Sequence, residues 1–171
     1  MVAEFEKSMV VGENGERAVK EILCHTYDFF AVPPDVDING IDAKMVHRAS
    51  GTGFTVQIKT DAKSVETGNI FVELVSVAGE GGGNLPSWGW KCAADVLLIH
   101  VPHASPGQAI AYFGDHVRLR AVIPFWLTKF GVKRVRNRDY GLRGYDTLGI
   151  AVPLAMFCCA CVIGEVAGPS Q

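Results

Sequence analysis

The sequence has no surplus of basic residues: 16 Lys and Arg stand against 18 Asp and Glu, a formal net charge of -2. With a pI near 6.2, a uniformly basic surface is excluded, and any polyanion partner must be met by a local patch. Charge is sparse overall, at 20% against 49% apolar residues, which argues against disorder and supplies a core. The length of 171 residues fits one domain. The opening stretch Met1-Val-Ala-Glu-Phe-Glu-Lys7 lacks a basic region followed by an apolar run, so no secretory signal is expected. Long apolar runs are missing as well. Leu148 to Gly164 is nearly uncharged, but it falls short of the roughly 20 residues of a membrane helix and contains Pro153. No Lys/Arg cluster flanks it closely, and it reads as a buried strand followed by a helix.

Cysteine is few and uneven. Of the five, three crowd into Cys158, Cys159 and Cys161, which is no pattern for a secreted disulfide framework. A reducing cytoplasm is the expected compartment. Neighbours this close cannot all face one zinc ion, and no second CxxC pair exists, so they read as small apolar residues in a buried helix. The histidines (His25, His47, His100, His103, His116) lack metal-ligand spacing and read as ordinary core or surface residues. No repeat or linker divides the chain, and Gly79-Glu-Gly-Gly-Gly-Asn84 reads as a loop.

Periodicity supplies the elements. Val11, Ala18, Val19, Ile22 and Leu23 recur at helical spacing, predicting a helix from about Ser8 to Tyr27. Phe29 to Val32 predicts a short strand, and Asp35 to Gly40 a turn. Ile41 to Val46 and Phe54 to Lys59 predict a hairpin closed by Ser50-Gly-Thr-Gly53. Asn69 to Val75 is expected as the third strand of an antiparallel meander. Trp88-Gly-Trp90 reads as a helix or turn, and Ala94 to Val101 as a strand covered on both faces. Gln108 to Phe113 predicts a strand and His116 to Phe130 a helix containing Pro124. Arg134 to Arg138 and Leu148 to Val152 predict late strands, and Ala155 to Val166 a terminal helix. The fold class is mixed α/β, a central mixed sheet flanked by helices.

The chemistry gathers on two strands. Period-two alternation puts Thr55, Gln57 and Lys59 on one face, with Val56 and Ile58 on the other. Asp42 starts the partner strand, just after Gly40-Ile41. A carboxylate, an amide oxygen and a lysine then converge at one end of the sheet. Phosphodiester hydrolysis calls for such a set: oxygen ligands for a divalent cation, and a cation where charge develops on phosphate. The backbone carbonyl of Ile58 is a further candidate ligand.

Gly-Ile-Asp42, a hairpin, then Val-Gln57-Ile-Lys59, preceded by a helix with Gly15-Glu16, resembles the PD-(D/E)XK nuclease superfamily. The likeness is closer to its restriction-endonuclease-like and Holliday-junction-resolvase-like branches. It covers about Gly12 to Val101, with Ala94-Asp95 before an apolar strand included. The resemblance implies a restriction-endonuclease-like core and a nuclease, preferably an endonuclease, that uses Mg²⁺ or Mn²⁺ on DNA. It makes Asp42 the metal ligand, Lys59 the catalytic lysine and Glu16 the helix carboxylate completing the metal site. Gln57 departs from the usual acidic residue, and a neutral amide is a weaker ligand for a hard cation. The chain then reads as a single nuclease-like domain with its motifs in 12–101 and a basic C-terminal extension, 108–171, packed on them. A homodimer is also implied.

Two rival readings stay open: a non-catalytic nucleic-acid-binding or inhibitory module on the same fold, and a ribonuclease. Asp35 and Asp37 read as turn residues. Glu73 reads as solvent-facing or as an additional metal carboxylate. Arg118, Arg120, Lys129, Lys133, Arg134, Arg136, Arg138 and Arg143 fall in one late region, against Asp115, Asp139 and Asp146. Lys133, Arg134, Arg136 and Arg138 are the candidates for tracking a phosphate backbone. Trp88, Trp90 and Tyr140 are candidates for base stacking, with a structural role favoured for the Trp pair.

Overall fold

The computed structural model describes residues 14–33, 40–77, 84–102, 109–137 and 145–168. Helix α1 occupies 14–23. Strands β1 (Tyr27–Ala31), β2 (Ala43–His47) and β3 (Gly53–Thr60) follow, then the one-turn helix α2 (Ser64–Thr67). Strands β4 (Asn69–Val77), β5 (Asn84–Pro86), β6 (Val96–Pro102) and β7 (Ala109–Gly114) precede helix α3 (His116–Phe130). Strands β8 (Lys133–Asn137) and β9 (Tyr145–Pro153), helix α4 (Leu154–Cys161) and strand β10 (Val162–Gly168) complete the order.

The strands form two sheets, a mixed one of order β1-β2-β3-β6-β7-β10 and an antiparallel one of order β5-β4-β9-β8. In the mixed sheet β3 and β6 are parallel, with Val56 opposite Val96 and Thr60 opposite His100. The other pairings are antiparallel. Apolar residues fill both faces of this sheet. On one, Val56, Ile58, Leu98, Ala43 and Met45 pack with Val19, Ile22 and Leu23 of α1. On the other, Leu97, Ile99 and Val101 join Ile70, Val72, Ile150 and Val152 of the second sheet with Leu119, Ile123 and Trp126 of α3 and Phe157 of α4. The protein is a mixed α/β domain whose central mixed sheet is flanked by helices.

Three expectations need correction. The meander is β1-β2-β3, not β2-β3-β4: Asn69–Val77 pairs with β5 and β9 in the second sheet. A parallel neighbour of β3 cannot be reached through a tight turn, and the stretch between β3 and β6 serves as the crossover. The terminal helix ends at Cys161, and Val162–Gly168 is a strand on the edge of the mixed sheet, antiparallel to β7. Its β-branched Val162, Ile163 and Val166 favour extended backbone over helix, and β7 offers them a free edge. The first helix stops at Leu23, where Thr26 N–H returns to the Leu23 carbonyl (2.9 Å) and β1 begins at Tyr27.

The helix at His116–Phe130 has the expected bounds. Asp115 caps it, its carboxylate accepting from the N–H of Val117 (2.7 Å) and Arg118 (3.1 Å). Pro124 lies inside it, and Gly131 in left-handed backbone (φ 67°) ends it. Residues after 108 are woven into both sheets, since β7 and β10 extend the mixed one while β9 pairs with β4. No described helix is long and apolar enough to cross a membrane. The cysteines are free: Cys161 is buried, Cys158 half-buried and Cys159 exposed, so α4 is buried along one stripe only. The expected turn at 35–39, most of the 79–84 loop, and Arg138, Tyr140 and Arg143 lie outside the described residues.

Asp61 joins the two sheets. Its N–H donates to the His100 carbonyl (3.0 Å) on β6, and its carboxylate accepts from Ser64 N–H (2.9 Å) in α2 and Phe71 N–H (2.8 Å) in β4. The exit of the crossover is thereby fixed against both sheets. Asp61→Ala leaves two main-chain donors without that acceptor and is expected to lower stability by about 2–4 kcal/mol. Urea unfolding should show this as a lower midpoint at unchanged m-value. Asp28→Ala breaks only the exposed pair with Arg48 (2.7 Å) and should cost less than about 1 kcal/mol. Equal losses in the two variants would show that Asp61 does not hold the junction.

Candidate functional site

The site is built where β2 leaves β3. Asp42 N–H donates to the Val56 carbonyl (2.8 Å), carrying the ladder one residue past the Ala43–Val56 pair. Beyond this point β2 no longer reaches β3, and the Asp42 carboxylate itself takes the next donor, Ile58 N–H, at 2.5 Å.

Gln57 is buried, at 4% exposure, although its own face pairs with Leu97 rather than with another polar group. Its side-chain Oε1 is buried and has no hydrogen-bond partner. An orphaned acceptor of this kind costs about 1–3 kcal/mol and calls for an explanation. The amide lies against Gly40, where an added Cβ would stand 2.7 Å from Gln57 Nε2. Lys59 follows two residues along the same face and is half-buried.

Two residues that carry no sequence signal complete the surroundings. Cys92 is buried and its thiol donates to the Gly40 carbonyl (3.5 Å). Burial, and then the Asp42 charge, push that thiol up, against the Ala94 hydrogen bond and the charges of Arg120 and Lys59. It therefore stays protonated at neutral pH. Arg120 of α3 donates through Nη2 to the Cys92 carbonyl (2.8 Å), while its Nε is buried without a partner. A chain of contacts thus runs from Arg120 through Cys92 and Gly40 to the Gln57 amide. The sequence showed Arg120 only as one of a run of cations, and Cys92 not at all.

Gln57 and Lys59 lie on one face of β3, and the Asp42 carboxylate is bound to the Ile58 main chain between them. Glu16 comes from the other side. A Cβ on Gly15 would overlap Thr60 Oγ1, so α1 rests on the last residue of β3, but its apolar side packs against the face of Val56 and Ile58. Glu16 pairs there with Lys20 (3.7 Å). Among the described residues no three His, Cys, Asp or Glu side chains are grouped to hold a metal ion.

The remaining expected contributors have other partners. Glu73 on β4 accepts from Ser87 Oγ (2.9 Å). Arg134 donates to Asp146 (Nε–Oδ2, 2.6 Å), and Arg136 reaches the same carboxylate at 3.3 Å. The hydrogen bond from Arg134 is the largest of the influences that hold the Asp146 carboxyl below its ordinary value. These two guanidiniums are therefore engaged inside the second sheet, while Lys133 is exposed. At the start of β3, Asp95 accepts from Thr55 N–H and Oγ1 (2.8 Å each), pinning the parallel pair, and these bonds hold its carboxyl below its ordinary value.

No protein-family model, curated protein or solved structure matches the chain.

His100 and His116 are buried, and neither ring has a hydrogen-bond partner. Burial lowers both, His116 to about 4 with the Arg120 charge assisting. An unfolded histidine titrates near 6.5 and folded His116 near 4, so its contribution is complete above the first value and is lost as pH falls toward the second. The change amounts to about 3 kcal/mol by linkage. His116→Phe should flatten the loss of unfolding free energy between those two pH values, and an unchanged slope would show that His116 is not held neutral. Gly40→Ala tests the packing beneath Gln57. Gly40 (φ 78°) and Gly51 (φ 71°) share the left-handed backbone, but only Gly40 has a neighbour that an added Cβ would strike. Gly51→Ala should cost about 1–2 kcal/mol for backbone strain alone, and Gly40→Ala measurably more in thermal unfolding. Equal costs would mean that the amide does not rest on Gly40.

Proposed function

We propose that the chain is a metal-dependent nuclease that hydrolyses DNA phosphodiester bonds, built on a restriction-endonuclease-like core. One observation carries the reading: Gln57, whose buried side-chain oxygen lacks a partner, and Lys59 share one face of β3, and the Asp42 carboxylate is held at the Ile58 N–H between them. The antiparallel β1–β3, followed by a crossover to the parallel β6 with α1 on one face, supports the same core.

The donor set fits a hard, well-hydrated cation. Asp42 supplies the carboxylate, Gln57 Oε1 the neutral oxygen that otherwise lacks a partner, and the Ile58 carbonyl a further ligand; Mg²⁺ asks for only one or two carboxylates. A divalent cation held there supplies an acidified water and offsets phosphate charge. Lys59 stands where its ammonium meets the charge that develops on the phosphate oxygens during attack. The Asp42 bond to Ile58 N–H fixes the carboxylate and makes its position independent of the ligand.

The neutral Gln57 and the lack of a three-residue acidic or His/Cys group among the described residues favour one second reading, a non-catalytic nucleic-acid-binding module. A substrate panel separates the two: linear, supercoiled, single-stranded and branched DNA, and RNA, each with Mg²⁺ or Mn²⁺. The expected outcome is metal-dependent DNA cleavage, reduced at least about 100-fold in kcat by Lys59→Ala and by Asp42→Asn. Gln57→Glu should lower the metal concentration giving half-maximal rate. DNA binding without cleavage would establish the non-catalytic module, and cleavage surviving both substitutions would place the chemistry elsewhere.

A further inference from the structure

Among the described lysines and arginines, Lys59 and Arg120 alone are not exposed. Exposed arginines such as Arg48, Arg118, Arg134 and Arg136 each have a carboxylate partner. Lys59 and Arg120 enter no ion pair among the described residues. Burial disfavours a charge unless a counter-charge goes with it, so two half-buried cations with no ion pair among the described residues are a departure that needs a reason.

They belong to one place. By the register with Leu97 and Ile99, Gln57 and Lys59 face the side of the mixed sheet on which α3 packs through Leu119, Ile123 and Trp126. Arg120 reaches from α3 to the Cys92 carbonyl. The charges of Arg120, Lys59 and Asp42 all act on the Cys92 thiol. Among the described charges that act on Cys92, two are cations and one is a carboxylate. The buried Arg120 Nε still has a donor to give, and a guanidinium and an ammonium reaching one neighbourhood are suited to a tetrahedral oxyanion.

We propose that Lys59 and Arg120 together bind a phosphate group, the phosphodiester that occupies the site. The anion site stands on the two unexposed cations alone, while the assignment of its phosphate to nucleic acid rests on the nuclease reading above. Arg120 thereby makes the helix after β7 part of the substrate site, which the hairpin of β2 and β3 does not complete by itself.

The test uses the full chain in EDTA, titrated with inorganic phosphate at constant ionic strength and followed by thermal unfolding. Wild type, Arg120→Gln, Arg120→Lys, Lys59→Gln and the exposed control Lys44→Gln are compared. In parallel, the KM for DNA cleavage is measured with Mg²⁺. A saturable rise in Tm is expected for wild type and Lys44→Gln, absent in Arg120→Gln and Lys59→Gln and partly restored in Arg120→Lys. The KM of Arg120→Gln should rise about tenfold or more, the size of one charge-assisted hydrogen bond. Lys59→Gln guards against misfolding, since Lys59 makes no hydrogen bond that the fold needs among the described residues. No saturable rise in wild type, or the same rise in the Arg120 and Lys59 variants, overturns the anion site. An unchanged KM in a folded Arg120→Gln overturns its role toward DNA while leaving the nuclease intact. Phosphate binding that depends on both cations, with no nucleic acid cut, upholds the anion site and sinks the nuclease reading.

Discussion

Parallel neighbours in a sheet cannot be joined by a turn, and that constraint acts on this molecule between β3 and β6. The chain must leave the mixed sheet after Thr60 and re-enter it before Val96, and the intervening stretch becomes half of a second sheet. Short acidic side chains secure both crossings. Asp61 takes the main-chain donors of Ser64 and Phe71 at the exit, and Asp95 takes that of Thr55 at the return. Each satisfies backbone groups that neither ladder can serve. With both ends fixed, the face of β3 that carries Gln57 and Lys59 is directed toward the layer of α3 and the second sheet, away from α1.

That orientation explains why the site is costly for the fold and informative about function. The opposite face of β3 obeys the ordinary rule, with Val56 and Ile58 buried under α1. The site face carries an amide with an orphaned oxygen and, in Lys59, a half-buried cation with no ion pair among the described residues, and α3 brings Arg120 to the same neighbourhood. Local violations of packing and polar satisfaction gather at sites that serve something other than stability. The buried histidines are different in kind. They are neutral rings whose depressed titration follows from burial, for His116 with the Arg120 charge assisting.

Much of this was legible from residue order. Alternation along Phe54 to Lys59 separated the two faces of β3, and the apolar run before His100 marked the buried parallel strand. The residue pattern bounded α3 at His116 and Phe130, while its caps, Asp115 and Gly131, emerged only with the fold. What escaped was non-local. Whether Asn69–Val77 adds to the first hairpin or founds a second sheet depends on Tyr145–Pro153, its partner far along the chain. The change from helix to strand at Val162 depends on the edge that β7 leaves uncovered. Cys92 and Arg120 have no spacing relation to Asp42 or Lys59. Only the folded chain shows that the Cys92 and Gly40 carbonyls link them in series and that Arg134 and Arg136, the better-looking basic pair, serve Asp146.

The order of assembly follows from the same crossover. The hairpin of β2 and β3 closes over a few residues, an event of roughly microseconds for isolated hairpins, and brings the Asp42 carboxylate to Ile58, between Gln57 and Lys59, by itself. The β3–β6 pairing must first close the whole stretch of the crossover, and such distant contacts form slowly. Arg120 arrives later still, on a helix synthesised after β7. The β3 residues are thus expected in place early and Arg120 last, so that a chain emerging from the ribosome holds half a site until α3 has docked.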